Sequence, residues 1–225
     1  MCSHKNLVKT FGIACMFFLF CITNVCAKDE VSAWVGISRI KMKDMRGMFD
    51  DSLLGNIKID HSELAAPAAG LEYMHYIDNN FKISARVGVT GKKINFIPEG
   101  NLNLIIKDIN SYCRIIIIPM MFGGSYSKKM RENFSLNGKL FLGYAFVDFE
   151  SKNSFTLSEK IVKELNKTTG CFILDSSIGV EWFFTKRFGV GFDFGYRFTP
   201  EILPSKNIKL DFSGATFALN LNYKV

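Results

Sequence analysis

From Phe188 to Phe198 the chain alternates between two kinds of residue. Phe188, Val190, Phe192, Phe194, Tyr196 and Phe198 hold one set of positions, and Gly189, Gly191, Asp193, Gly195 and Arg197 hold the other. Successive side chains of a strand point to opposite faces. This stretch therefore reads as a strand with one face wholly apolar, rich in aromatic rings. The other face is small, apart from two opposite charges.

The same period of two recurs along the chain. Phe172, Leu174, Ser176, Ile178, Val180, Trp182 and Phe184 alternate with Asp175, Ser177, Gly179 and Glu181. Phe81, Ile83, Ala85, Val87 and Val89 alternate with Lys82, Ser84, Arg86, Gly88 and Thr90. Leu71, Tyr73 and Ile77 alternate with Gly70, Glu72, Met74 and Tyr76, and Phe134, Leu136, Leu140, Leu142, Tyr144 and Phe146 with Ser135, Asn137, Lys139 and Gly143. The last strand sets Ala215, Phe217, Leu219, Leu221, Tyr223 and Val225 against Gly214, Thr216, Asn220, Asn222 and Lys224. The first is weaker, with Val31, Ala33, Val35 and Ile37 against Ser32, Trp34, Gly36 and Ser38. Residues 112–126 fit worst. Ile115 to Ile118 do not alternate, and Pro119 has no N–H for a ladder. Ile116, Ile118, Met120 and Phe122 are assigned outward, with a bulge at Pro119 as one way to keep the ladder closed.

Eight strands result, and their connections alternate in length. Short links fall at 78–80, 127–133 and 185–187, and long ones near 43–67, 92–111, 150–171 and 199–211. Short turns at one end, with both termini, and long loops at the other describe an up-and-down barrel that spans a membrane. The strands suit the about 9–11 residues that a tilted crossing needs. A soluble barrel or sandwich is the rival. Its apolar face would point inward, and its outer face would carry long charged side chains to meet water. Here the second face is Gly, Ser, Asn and Thr, which suits a crowded interior. The apolar face ends in aromatics at both extremes, as Phe134 and Phe146, Phe172 and Phe184, and Phe188 and Phe198 do. Such girdles mark the two interfaces of a bilayer. Lipid cannot satisfy an open sheet edge, so the sheet must close. The fold class is all-β: an eight-stranded antiparallel transmembrane β-barrel.

The N-terminus is set apart from the fold. Lys5 and Lys9 precede an apolar run from Phe11 to Ile22, and Val25-Cys26-Ala27 supplies small residues for a cut before Lys28. This is the layout of a secretory signal peptide. The run is 12 residues long, short of the roughly 20 a spanning helix requires. A lipoprotein cut before Cys26 is disfavoured by the bulk of Val25. Residues 1–27 are thus assigned as signal and 28–225 as the barrel domain. Without the signal the formal charge of +7 becomes 26 − 21 = +5, and of six cysteines only Cys113 and Cys171 stay. Two cysteines do not make a disulfide scaffold, and no basic block points to nucleic acid.

The inward charges are Glu72, Lys82, Arg86, Lys139, Asp175, Glu181, Asp193 and Arg197. An eight-stranded barrel is just wide enough to be filled by side chains, so charges inside it must pair. A turn centred on residue 186 sets Asp175 across from Arg197, and one centred on 79 sets Glu72 across from Arg86. The expectation is a plugged, ion-paired lumen with no wide pore.

Three stretches resemble the small bacterial outer-membrane β-barrel families of the opacity and attachment-invasion type. Ile118-Pro119-Met120-Met121-Phe122-Gly123-Gly124-Ser125-Tyr126 looks like their strand that begins with Pro and ends in Tyr. Gly189 to Phe198 looks like their Gly-and-aromatic penultimate strand. Ala215 to Val225 looks like the terminal signal read by the outer-membrane assembly machinery, although this chain ends Tyr223-Lys224-Val225 where that signal usually ends in an aromatic residue. The resemblance implies a location in the bacterial outer membrane, with its lipids and that machinery as partners. It marks architecture and not activity.

Little in the sequence suggests catalysis. His75 falls on the lipid-facing parity near the short turns, and His61-Ser62-Glu63 in the first long loop is no triad, because a triad is defined by geometry. Metal-ligand spacing, phosphate loops and cofactor motifs do not occur. Cys113 and Cys171 begin strands at the same rim, which leaves a bridge open, although one strand intervenes. Leu157, Ile161 and Leu165 have helical spacing, and Phe96 to Ile106 has the pattern of a hairpin extension turning at residues 98–101. The expected function is a non-enzymatic surface barrel whose loops bind a host or envelope ligand, or one that stabilises the envelope. The alternatives are a lipid-modifying enzyme and a narrow channel for small apolar solutes.

Overall fold

A computed structural model describes residues 29–44, 64–96, 109–155, 161–205 and 208–225. The signal segment, His61, Leu157 and the turn at 98–101 lie outside these described residues. Ten strands form: β1 (Asp29–Asp44), β2 (Leu64–Tyr76), β3 (Phe81–Phe96), β4 (Ile109–Arg131), β5 (Phe134–Phe155), β6 (Ile161–Phe183), β7 (Phe188–Phe198), β8 (Ile202–Ser205), β9 (Ile208–Asp211) and β10 (Gly214–Lys224). Strands β1 to β7 and β10 pair antiparallel in chain order. β10 pairs in turn with β1, from Glu30 opposite Lys224 to Ser38 opposite Thr216, and the sheet closes. The chain is an eight-stranded antiparallel barrel. The short β8 and β9 form a separate hairpin that joins β1 beyond the barrel wall, Lys41 opposite Asp211.

Period two places the apolar set on the outside. Phe172 is 70% exposed and Ile178 67%. A continuous apolar surface of this kind is tolerated in lipid and not in water. Aromatic rings gather at both of its edges. Phe188 packs with Tyr223 and Phe81 with Tyr126, centroids 4.9 and 5.0 Å apart, beside the short turns. Tyr144 packs with Phe146 and Phe172, at 5.2 and 5.7 Å, at the opposite edge. Along β5 the belt runs from Phe134 to Phe146. Those residues span about 40 Å of strand, which a tilt of about 40° reduces to a height of about 30 Å.

Three expectations are corrected. First, the strands overrun the belt: β4, β5 and β6 have 23, 22 and 23 residues. Residues 92–96, 109–111, 150–155 and 161–171, read as loop, are strand. Ile161 and Leu165, which had helical spacing, belong to β6. Likewise 127–133 is mostly strand, with Glu132-Asn133 as its turn. The ladder persists above the membrane because the apolar face changes sides there. Val147 and Phe149 point inward and are fully buried, while Glu150 on the outer face pairs with Arg114.

Second, no bulge forms at Pro119. β4 and β5 pair straight through it, Pro119 opposite Ala145. Towards β3 the pairing passes from Met120–Val87 to Ile117–Thr90 with the register unchanged. The missing N–H costs ladder bonds without requiring an extra residue. The run around it alternates after all. Ile115, Ile117 and Met121 face the interior, and Phe122 is exposed. Ile118 shares the outer face but is covered, opposite Phe146. Third, residues 199–211 are no plain loop, because they carry the β8–β9 hairpin.

Candidate functional site in the barrel interior

The barrel interior is filled in layers. Beside the short turns, Glu30 of β1 accepts hydrogen bonds from the Tyr76 hydroxyl at 2.6 Å and from Lys82 Nζ at 3.0 Å. Lys82 also reaches Glu181 of β6 at 3.4 Å. These side chains come from β1, β2, β3 and β6, so the layer ties opposite walls together. At its edge Lys224 Nζ lies 3.5 Å from the ring centre of Phe183.

One layer further in, Lys139 Nζ donates to Asp193 at 2.9 Å and stands 3.5 Å from Glu72. Asn220 also donates to Asp193, at 2.9 Å. Glu72 and Arg86 are opposite in the β2–β3 register, and their ion pair is long, at 4.0 Å. The Arg86 guanidinium instead sits over two rings, 4.1 Å from the centre of Trp34 and 5.6 Å from that of Phe141. Above this, Arg197 Nε and Nη2 both donate to Asp175 Oδ2, at 3.2 and 2.9 Å, and its Nη1 donates to Ser38 at 3.1 Å. Asp175 and Arg197 are opposite in the β6–β7 register.

Every acid in these layers has a base within ion-pair reach, and none of these acids or their bases is more than a tenth exposed. Burial on that scale is stable only with partners. Removing one member of such a pair typically costs about 3–5 kcal/mol. Small residues make the room. A Cβ on Gly179 would fall 2.0 Å from Asp193 Oδ1, and one on Gly88 would fall 2.6 Å from the Trp34 ring.

The upper half of the interior is apolar. Ile115, Ile117, Phe141, Val147, Phe149 and Ile173 form one buried cluster, joined by Ile202, Leu210 and Phe212 from the β8–β9 hairpin and its end. Thr199 and Ser213 anchor the base of this hairpin. Thr199 N donates to Ser213 Oγ, which donates back to the Thr199 carbonyl, both at 2.9 Å. The hairpin thus lowers apolar side chains into the mouth like a stopper. Among the described residues the interior keeps a cavity of about 20 Å³ near Arg86, Asp175 and Arg197. Another, of about 150 Å³, lies at the short-turn mouth near Tyr76, Lys129 and Lys224. The first has room for about one water molecule.

Of the residues singled out in the sequence, Glu72, Lys82, Arg86, Lys139, Asp175, Glu181, Asp193 and Arg197 all lie in this network. Sequence reasoning missed Glu30, because the alternation of the first strand was read only from Val31. It also missed the apolar upper half, whose signal is a period-two pattern of opposite phase. The bridge left open between Cys113 and Cys171 is corrected, for both thiols are free and buried. Cys113 lies opposite Ser151 and Cys171 opposite Ala145 on the two sides of β5. Six residues of offset is about 20 Å along that strand, far beyond the about 7 Å limit for Cα atoms of a disulfide. His75 Nδ1 lies 2.7 Å from Asp29 Oδ1 on the outer face at the short-turn rim. Among the described residues no group of three His, Cys, Asp or Glu could hold a metal ion.

No family model and no curated protein matches the sequence. Solved structures do match in fold. The outer membrane protein OprG from Pseudomonas aeruginosa aligns over 87% of this chain and 95% of its own, at 12% identity and a TM-score of 0.51. Looser likenesses cover 87% of this chain and 98% of Ail, the attachment invasion locus protein of Yersinia pestis, at 15% identity and TM-score 0.46. For the outer membrane protease OmpT from Escherichia coli the shares are 88% and 97%, at 6% identity and 0.49. The fold is that of the small outer-membrane β-barrels.

Proposed function

We propose that this chain is a non-enzymatic barrel of the bacterial outer membrane. Its specific role lies on the loop-side surface, where it binds a host or envelope ligand. The observation that carries this reading is the filled interior: an ion-paired lower half and an apolar upper half, stoppered by the β8–β9 hairpin. A barrel packed in this way is a scaffold. Loops on a rigid scaffold are where binding usually resides. The apolar exterior sets the lipid contact, and the terminal strand β10, which closes the barrel against β1, is the segment offered to the assembly machinery.

The test replaces residues 45–63 and 97–108 by short Gly-Ser links and leaves every described strand intact. Cells carrying this variant should hold the barrel at normal levels in the outer membrane yet lose adhesion to host cells or resistance to serum. Unchanged adhesion and resistance would leave only a structural role in the envelope. An altered lipid A mass spectrum in cells lacking the protein would instead favour an enzyme.

A further inference from the structure

The exterior carries a notch at the short-turn end. Its floor is the outer face of β5, β6 and β7, formed by Phe134, Val180, Trp182, Val190 and Phe192, and its wall is the β4–β5 turn from Met130 to Asn133. The wall is held in place where Phe183 N donates to the Asn133 carbonyl at 2.8 Å. The notch is open to the outside and offers about 1020 Å³. The pairing of Phe134 with Trp182, and of Trp182 with Val190, makes the floor one continuous apolar surface.

Two turns flank this notch, and their charge is one-sided. The first, with the end of β4 that leads into it, carries Lys128 and Arg131 with Glu132. The second carries Lys186 and Arg187 with no acid. All four cations are exposed. The Arg187 contact is with the neutral Tyr223 hydroxyl, at 3.4 Å. Short turns and termini mark the periplasmic end of an outer-membrane barrel, so these cations stand at the headgroup level of the periplasmic leaflet. An apolar channel opening onto unneutralised cations fits a ligand with an acyl chain and a negative headgroup. Arg131 supplies a planar fork suited to a phosphate.

We propose that this notch is a binding site for an anionic phospholipid of the periplasmic leaflet. One acyl chain lies on Val180, Trp182 and Phe192, and the phosphate is held by Arg131 and Lys186. This rests on the outer-membrane reading above and adds a lipid class to it.

Trp182 lies in the notch and is 54% exposed, whereas Trp34, the other of the two tryptophans, is 4% exposed inside the barrel. Quenching by lipids brominated on their acyl chains therefore reports on Trp182. The full barrel is reconstituted in phosphatidylcholine vesicles containing equal fractions of brominated phosphatidylglycerol or brominated phosphatidylcholine. The site predicts that phosphatidylglycerol quenches preferentially, with a relative affinity of about fivefold per cation engaged. The preference falls to parity in the Arg131→Gln/Lys186→Gln variant, and quenching itself is lost in Trp182→Phe. Equal quenching by the two lipids in the wild-type protein overturns the site and leaves the membrane barrel standing. So does a full preference in the double variant. No quenching by either lipid overturns both.

Discussion

The guanidinium of Arg86 lies over the indole of Trp34, 4.1 Å from the ring centre. The indole in turn lies across Gly70 and Gly88, which are paired in the β2–β3 register. A cation, a ring and two bare backbones thus cross the barrel as one stack. Cation–π contacts of this kind are worth about 2 kcal/mol when desolvated. The arrangement holds only while the floor carries no side chain.

Gly88→Ala should therefore destabilise the barrel by about 1–3 kcal/mol, the usual cost of overpacking. The urea midpoint, read from the folded band of unboiled samples on gels, measures it. The loss should shrink in a Trp34→Ala background, because the clash is with the ring. An equal loss in both backgrounds would place the strain elsewhere.

Asp175 and Arg197 define a second test. Arg197→Met strands a buried carboxylate and should cost about 3–5 kcal/mol. Asp175→Leu/Arg197→Met removes both charges together and should recover most of that loss in the same urea titration. A double variant as unstable as the single one would mean that Arg197 acts through Ser38 or through packing and not through the ion pair.

Phe192 is 48% exposed on the belt. Phe192→Arg should cost about 2–4 kcal/mol at mid-bilayer depth and abolish the heat-modifiable folded band, while a Gly191→Ser control on the inner face keeps it. Normal assembly of Phe192→Arg would refute the assignment of faces.

Asp78 in the β2–β3 turn accepts hydrogen bonds from the N–H groups of Asn80 and Phe81, both at 2.7 Å. These hold its carboxyl below the usual carboxylate value. A lowered folded value means that the stabilisation is present above the unfolded pKa of about 3.9 and is lost as pH falls through the folded one. Asp78→Ala should lower the urea midpoint at neutral pH, and its gap from the wild type should close in acid. A gap independent of pH would show that the carboxylate charge contributes nothing to the turn.

The legible part of this fold is the part that touches lipid. From Phe134 to Phe146 the outer face is mostly apolar and the inner face mostly small or paired, so the period of two is readable, broken by Gly138 outside and Phe141 inside. The registers of Asp175 with Arg197 and of Glu72 with Arg86 follow from counting, because the turns at 186 and 79 are too short to slip. Above the belt the solvent outside becomes water and the inside becomes a dry core. At Val147, Asp148, Phe149 and Glu150 the strand continues, but its apolar phase inverts and the segment reads as loop. At Ile115 to Ile118 the two regimes overlap. Ile116 and Ile118 stand on the outer face, Ile115 and Ile117 in the core, and with both faces apolar the sequence shows no alternation. The β8–β9 hairpin was hidden for another reason. Its strands are four residues long, too short for any period, and Ile202, Leu210 and Phe212 gain their partners only from strands distant in sequence, β1, β2 and β4 to β6.

The filled interior is tested most directly by single-channel recording of the full barrel in a planar bilayer. Side chains from Glu30 at one mouth to Phe212 at the other occupy the lumen, so the recordings should show no stable porin-sized conductance at neutral pH. Stable, long-lived openings of porin size would contradict the plugged barrel and, with it, the assignment of function to the loop-side surface.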